Sequence, residues 1–392
     1  MTLQGLLRLT SDMENISAYE NGPGPGEHIN HSDTDPTFDY DSYYFDDYYH
    51  EHVYSIFDFE IVIYGYIWPV LAIITCLCNC LVIGGFLQKH MRTSANIILV
   101  LIAISDSLTV LVTLPATFYV YSREQMLLSK DWCNATMITR LYISRAFHTI
   151  SVWITVLLGF QRFLHVRHPA VANRWCTIKK TIGIVAVMYV LAFLLHMYHA
   201  FDIKTSDGFC HWELKEPCGW GCAYIWASFI LGHAIPCVAL VAFTKLMLRP
   251  VNQRPGSTSV DNNVRRRREQ NRNMTIAVLL IVVIFLIPEL PYGLFYLLTM
   301  ILKLSVQKIL PLRTNRIFHA TYELALVLSF HLNFWVYCVM IRSFRSGIKT
   351  LFKMARCKKG TFSELEREHT SSQTMSYELV GVSERQSEDV EL

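Results

Sequence analysis

The chain has 392 residues, of which 52% are hydrophobic and 17% charged, against about 25% charged in an ordinary soluble domain. With a mean hydropathy of +0.28, that deficit excludes a disordered chain, and the question becomes whether the apolar residues are gathered in runs. A net charge of +3 gives no argument for a nucleic-acid partner. The 11 cysteines show no metal-like pair spacing outside Cys76, Cys78 and Cys80 in an apolar run, so they make neither a disulfide scaffold nor a zinc module.

Residues 1–60 come first. Met1 to Thr10 holds one basic residue and too short an apolar stretch for a signal peptide, so the first membrane span is expected to act as its own translocation signal. Asn15-Ile-Ser17 and Asn30-His-Ser32 are glycosylation sequons. Residues 33–60 carry nine acidic residues and six tyrosines. They read either as a solvated disordered tail or as an extracellular arm capturing a cationic or aromatic ligand, its tyrosines set among acidic neighbours that favour sulfation.

Runs of at least 18 apolar residues, enough to cross a bilayer core about 30 Å thick, lie near residues 61–87, 95–121, 133–164, 181–200, 223–247, 274–302 and 316–341. The third is the weakest by hydropathy, since it holds Arg140, Arg145 and His148. Charge placement supports seven spans over six. No Lys or Arg occurs from residue 9 to residue 88, and with seven spans the inner side holds 24 of the 35 basic residues, the outer side 9 and the membrane two. That is the asymmetry that cytoplasmic Lys and Arg produce. The N-terminus is therefore expected outside and the C-terminus in the cytoplasm.

Outside the membrane, Cys133 at the outer end of span 3 faces the loop that contains Cys210, Trp212, Cys218 and Cys222. Oxidising conditions there favour a bridge. Cys210 is the preferred partner of Cys133, Cys218 competes for it, Cys218 with Cys222 could form a second bridge, and Phe209 to Leu214 could form a short hairpin. On the inner side, Arg265 to Arg268 serve either as a topology and headgroup signal or as a partner-binding surface. After span 7, Phe344, Ile348, Leu351 and Phe352 recur at helical spacing opposite Arg345, Lys349, Lys353 and Arg356, which describes an interfacial helix over 342–357. Cys357 at its end is a candidate palmitoylation site, and residues 358–392, with Thr370, Ser371, Ser372 and Ser376, suit phosphorylation better than folding. The expected fold class is all-α: a seven-transmembrane helix bundle over 61–341 with a short amphipathic eighth helix.

Ionisable residues within a membrane are each a functional hypothesis. Asp106 in span 2 shares its depth with Asn79, Ser151, Ser329 and Asn333, an oxygen-rich set that could hold Na⁺ or a proton, or else a hydrated knot between helices. Nearer the outer face, Arg140, Arg145, His148, Glu289 and Glu323 are accompanied by Tyr292, Tyr296, His319 and Tyr322. They either pair across helices or line a ligand cavity. Pro236, Pro288 and Pro291 remove backbone hydrogen bonds in spans 5 and 6, where kinks suited to a switch are expected.

Seven spans with Asn79, Asp106, Arg162, Pro288 and Asn333 to Tyr337, in this order and depth, resemble the rhodopsin-like G-protein-coupled receptors over residues 60–357. More narrowly, Leu158-Gly-Phe160-Gln161-Arg162-Phe163 followed by Asn173-Arg174-Trp175-Cys176-Thr177, and Ser329-Phe-His-Leu-Asn333-Phe-Trp-Val-Tyr337-Cys338, are similar to the invertebrate myoinhibitory-peptide and sex-peptide receptor group. The resemblance implies an extracellular amidated neuropeptide, met by Arg140, Ser144, Arg145, His148, Trp212, Glu289, Tyr292, Tyr296, His319 and Glu323. It implies an inhibitory-class heterotrimeric G protein, with arrestin and receptor kinases acting on the tail, and a multi-pass protein of the plasma membrane. Arg162 with Gln161, Phe163, Pro288 and Tyr337 would form the coupling switch, Cys133 the loop disulfide, and Asp106 with Ser151 and Asn333 an allosteric sodium site. No other cofactor is implied.

The sequence departs from that pattern. Gln161 stands where an acidic residue usually precedes the arginine, Phe334 replaces the proline of span 7, and Phe285-Leu286-Ile287-Pro288 lacks the usual Cys-Trp. Thr244 replaces a span 5 tyrosine, no tryptophan occupies span 4, and Cys133 falls about one turn early, so the helix end is irregular or the bridge is displaced. Span 7 has no lysine, which excludes a retinal Schiff base, and Ser144 stands where amine receptors place an aspartate. A non-peptide ligand is the alternative within the class. A transporter is the alternative outside it, but it would show repeat symmetry or paired broken spans, and neither is found. His148, His196, His199, His233 and His331 are scattered over four spans, so they read as helix contacts rather than an enzyme centre.

Overall fold

The computed structural model describes residues 57–123, 129–201, 204–206, 209–211, 219–251, 262–302 and 311–353. All belong to one unit, His52–Leu392; a second unit, Met1–Glu51, lies outside the described residues. Seven helices are long and apolar enough to cross a membrane: α1 (Asp58–Phe86), α2 (Ser94–Ser122), α3 (Lys130–Arg167), α4 (Ile178–His196), α5 (Trp220–Leu248), α6 (Arg272–Ile301) and α7 (Arg313–Met340). α6 extends inward to Asn262. An eighth helix, α8, covers 342–353. A helix satisfies its own backbone groups, which is why lipid admits these spans. Three of them open at the N-terminus on side-chain caps, Thr93 accepting from the Asn96 amide, Ser129 from Trp132 and Thr177 from Lys180.

α3 is the central element and packs on α2, α4, α5 and α6, while α1 closes the ring between α2 and α7. The most apolar window of α3 is 56% buried and that of α4 only 17%. α4 accordingly turns Ile182, Ile184, Val187, Val190, Leu191 and Leu194 outward, and in a bilayer such a face meets acyl chains as apolar as itself. The core runs through Ile98, Leu99, Ile150, Ile154, Leu158, Leu240 and Ile281, all fully enclosed. It continues at the inner end into Phe86, Tyr337 and Phe344, whose rings meet at 4.8 to 5.8 Å. Small residues let α8 approach there: a Cβ on Gly347 would lie 2.9 Å from the Gly85 carbonyl oxygen, and Gln88 Nε2 donates to the Gly347 carbonyl at 2.6 Å.

The outer halves are less regular. Ile61–Ile67 in α1, Ile138–Ser144 in α3 and Ile230–Ala234 in α5 are π-helical, a widening of the helix that frequently marks functional sites. The segment in α3 lies between Cys133 and Arg162 and is the helix irregularity that their unusual spacing called for. The segment in α5 runs directly into Pro236, while Pro288 and Pro291 lie inside continuous α6. In the loop after α4, strands β1 (Lys204–Ser206) and β2 (Phe209–His211) pair antiparallel with Thr205 opposite Cys210. The hairpin therefore starts earlier than Phe209 to Leu214 suggested, its strands flanking Asp207-Gly208, a dipeptide favoured in two-residue hairpin turns.

Candidate functional site

Three polar centres lie along the bundle, and the outermost joins four helices around Arg140. Its Nη1 donates to the Tyr121 hydroxyl at 3.1 Å, its Nη2 pairs with Glu323 at 3.7 Å, and its guanidinium lies 5.1 Å from the centre of the Tyr64 ring. Tyr64 and Tyr121 were not singled out in the sequence; only the π-helical segment of α1, with Gly65 against the Tyr121 backbone, brings them under the arginine. Beside this group, Glu60 of α1 and Arg316 of α7 pair at 3.0 Å with Arg316 over the Phe57 ring. Glu60 closes the acidic stretch of residues 33–60, and nothing in its sequence pattern distinguishes it from the others.

Deeper along α3, the buried carboxylate of Glu289 is held from three sides. His233 Nδ1 lies 3.0 Å from Oε2, His148 Nε2 3.1 Å from Oε1, and the Tyr322 hydroxyl donates to Oε1 at 2.8 Å. α3, α5, α6 and α7 thus meet at one side chain, next to Pro288. His233 makes the helix contact expected of it, and its partner is the acid. Tyr292 stacks on Tyr322 at 3.7 Å and approaches His319 at 5.5 Å and Tyr296 at 6.2 Å. Arg145 projects from α3 toward the same group, with Tyr292, Tyr224, Tyr296 and Glu323 as its electrostatic neighbours. Tyr224 also meets His196 Nδ1 at 3.0 Å, and His196 Nε2 meets Thr149 at 2.8 Å. Ser144 is turned away from this group and donates to the Thr109 carbonyl of α2 at 2.9 Å.

At mid-depth, the Ser151 hydroxyl donates to the buried Asp106 carboxylate, and Asn333 is a polar neighbour of the same carboxylate. A carboxylate, a hydroxyl and a carboxamide oxygen are donors that a hard cation accepts. The remaining members of the oxygen-rich set point elsewhere: Asn79 donates to Ser107 at 3.1 Å and Ser329 to the Leu326 carbonyl at 2.7 Å.

At the inner end, Gln161 is tied to α2 and α4, its Nε2 donating to Ser94 at 3.1 Å and to Thr181 at 3.0 Å. Arg162 is buried, and its Nε has no hydrogen-bond partner. Among the described residues no carboxylate pairs with it. Cys176 is near, but burial pushes that thiol up from its ordinary value more than Arg162 lowers it, so it offers no counter-charge. Phe163 stacks on Phe243 at 6.0 Å. Cys133 and Cys222 are both disulfide-bonded. Asn15, Asn30, Trp212 and Cys357, like the side chain of Cys210, lie outside the described residues.

Residues 78–337 match the family model described as 7 transmembrane receptor (rhodopsin family). The chain belongs to the rhodopsin family of seven-transmembrane receptors. This receptor is 29% identical over 326 residues to the sex peptide receptor of Drosophila melanogaster, covering 76% of this chain and 74% of that one. It is 27% identical over 325 residues to sex peptide receptor-related protein 2 of Caenorhabditis elegans, covering 75% and 72%. Somatostatin receptor type 1 of Rattus norvegicus is 24% identical over 240 residues, 59% of each chain. The receptor is a multi-pass membrane protein with the bundle expected from its sequence, and the family is one of receptors, not enzymes.

Proposed function

We propose that this receptor binds an extracellular neuropeptide, amidated at its C-terminus, from the outer face of the plasma membrane and passes the signal to an inhibitory-class heterotrimeric G protein. The observation that carries this reading is the outer cluster itself. α1, α2, α3, α5, α6 and α7 bring Arg140, Arg145, Glu289, Glu323 and a wall of tyrosines and histidines together in the outer part of the bundle, in a chain related over three quarters of its length to receptors named for a peptide. Apolar walls with a few convergent polar groups are the features of a binding cavity.

Binding at that level bears on Glu289 and so on α6 beside Pro288. A ligand favours whichever state it contacts better; here that state has α6 swung outward about Pro288, exposing Arg162 to the G protein. Asp106, Ser151 and Asn333 would hold a sodium ion, whose positive charge would compensate the buried carboxylate in the inward state. The N-terminus lies outside with Asn15 and Asn30 glycosylated, Cys133 is bridged to Cys210, Cys357 is palmitoylated, and arrestin and receptor kinases act on the tail.

The test is a screen of amidated peptides on cells expressing the receptor, read by G-protein dissociation. Silence to every peptide alongside measurable solute flux would sink this reading. Arg162→Ala is expected to abolish signalling and spare ligand binding; unaltered signalling would remove Arg162 from the mechanism.

A further inference from the structure

Charge accounting in the outer half of the bundle leaves one group over. Among the described residues, three arginines and three carboxylates lie there without being exposed: Arg140, Arg145 and Arg316, with Glu60, Glu289 and Glu323. Glu60 is taken by Arg316 at 3.0 Å and Glu323 by Arg140 at 3.7 Å, while Glu289 is enclosed by His148, His233 and Tyr322. Arg145 forms no ion pair with any described carboxylate. Its electrostatic neighbours are the phenols of Tyr292, Tyr224 and Tyr296, which can accept hydrogen bonds from a guanidinium but cannot neutralise it, and, more weakly, Glu323, which already pairs with Arg140. An arginine kept at membrane depth is costly and marks a functional site by default. Five donors in a planar fork match a carboxylate two bonds at a time. The surrounding rings, Tyr292 with Tyr296 at 6.2 Å and Phe229 with Tyr296 at 6.1 Å, offer flat apolar faces beside it.

We infer that Arg145 is the anion-receiving subsite of the outer cavity: the ligand presents a carboxylate to its guanidinium, next to an aromatic group that packs on Tyr292 and Tyr296. Resting on the peptide reading, this makes the carboxylate an Asp or Glu side chain, since an amidated C-terminus carries none.

The test does not need the natural ligand. Full-length receptor in lipid nanodiscs is titrated with N-acetyl-tryptophan and, separately, with N-acetyl-tryptophanamide, two probes that differ only in carboxylate against carboxamide, and thermal stabilisation is read. The acid is expected to bind about tenfold more tightly than the amide, equal to ~1.4 kcal/mol. Arg145→Gln should erase that preference and Arg145→Lys should keep part of it. Equal stabilisation of the unmodified receptor by both probes, or by neither, overturns the inference whatever the variants do. So does an acid preference that survives Arg145→Gln. A silent peptide screen with the acid preference intact would overturn the peptide reading and leave the subsite standing.

Discussion

Replacing Glu289 by alanine removes the one acceptor on which His148, His233 and Tyr322 converge at 2.8 to 3.1 Å. Polar contacts between membrane helices average about 0.6 kcal/mol and reach about 1.7 kcal/mol. Three of them together give ~2 kcal/mol, with ~5 kcal/mol as the ceiling, and the ceiling agrees with the roughly 3–5 kcal/mol lost when one partner of a buried ion pair is deleted. Glutamine separates shape from charge. Its amide oxygen can still accept from Tyr322 and its amide nitrogen can face His233 Nδ1, so about one contact is lost, or ~0.6 kcal/mol. At about 1–2 °C per kcal/mol for a chain of this size, from ~2 cal/mol/K of unfolding entropy per residue, alanine should lower the Tm by ~2–4 °C and glutamine by about 1 °C. Intrinsic fluorescence melts of the purified receptor in nanodiscs measure both, and Tyr322→Phe combined with Glu289→Ala should cost less than the sum of the two changes. If alanine and glutamine melt together, the four-helix junction contributes nothing specific, and the reasoning that makes Glu289 its centre fails.

Other expected outcomes follow from the same contacts. Gly347→Ala places a Cβ 2.9 Å from a backbone carbonyl of α1, whereas Gly85→Ala meets the rim of the Phe344 ring at 2.8 Å, which can yield. The first should therefore cost more thermal stability than the second, and equal melts would contradict the packing of α8 on α1. Glu60→Arg and Arg316→Glu should each lower stability and the double swap should restore it, with a coupling of about 1 kcal/mol or less because the arginine is part-exposed; an additive double variant would remove the pair from account. Gln161→Glu gives Arg162 a neighbouring counter-charge while the Ser94 and Thr181 hydroxyls turn to donate to it. Basal G-protein activation, read without ligand, should fall, and an unchanged or raised baseline would show that Arg162 needs no ionic restraint.

The spans were legible because lipid imposes a length and a composition: all seven lie within a few residues of the runs read from hydropathy. The depth of a residue was legible for the same reason, which is how Arg140, His148, Glu289 and Glu323 were grouped before their contacts were known. Rotation about each helix axis was not. Asn79 and Asp106 share a depth, yet Asn79 faces Ser107. Ser144, at the level of the ligand group, is spent on a backbone carbonyl of α2. A π-helical insertion shifts the angular position of every residue beyond it, and three such segments sit in the outer halves. Periodicity of 3.6 therefore fails where the candidate cavity lies. Tyr64, on α1, is carried into the Arg140 group by one of them, and the spacing of Cys133 to Arg162 records another.

Three of the departures from the family pattern are each met by a local substitute of different chemistry. Where an acid would neutralise Arg162, Gln161 instead binds α3 to α2 and α4 through neutral hydroxyls, so proton uptake by that position plays no part in releasing the arginine. Where a tryptophan would precede Pro288, Leu286 is an apolar core residue, and the polar link between α6 and its neighbours moves three residues outward to Glu289. Where a proline would interrupt α7, Phe334 leaves the helix unbroken to Met340 and sets its ring 6.2 Å from Phe344 of α8. An unbroken α7 fixed to α8 has little freedom to bend at its inner end, whereas α6 retains Pro288 and Pro291 and meets ligand level through Glu289, Tyr292 and Tyr296. Movement should therefore concentrate in α6. Paired spin labels on the inner ends of α6 and α7, each measured against α2, should show the α6 distance lengthening on activation while the α7 distance holds; equal displacement of both would mean that the missing proline does not matter.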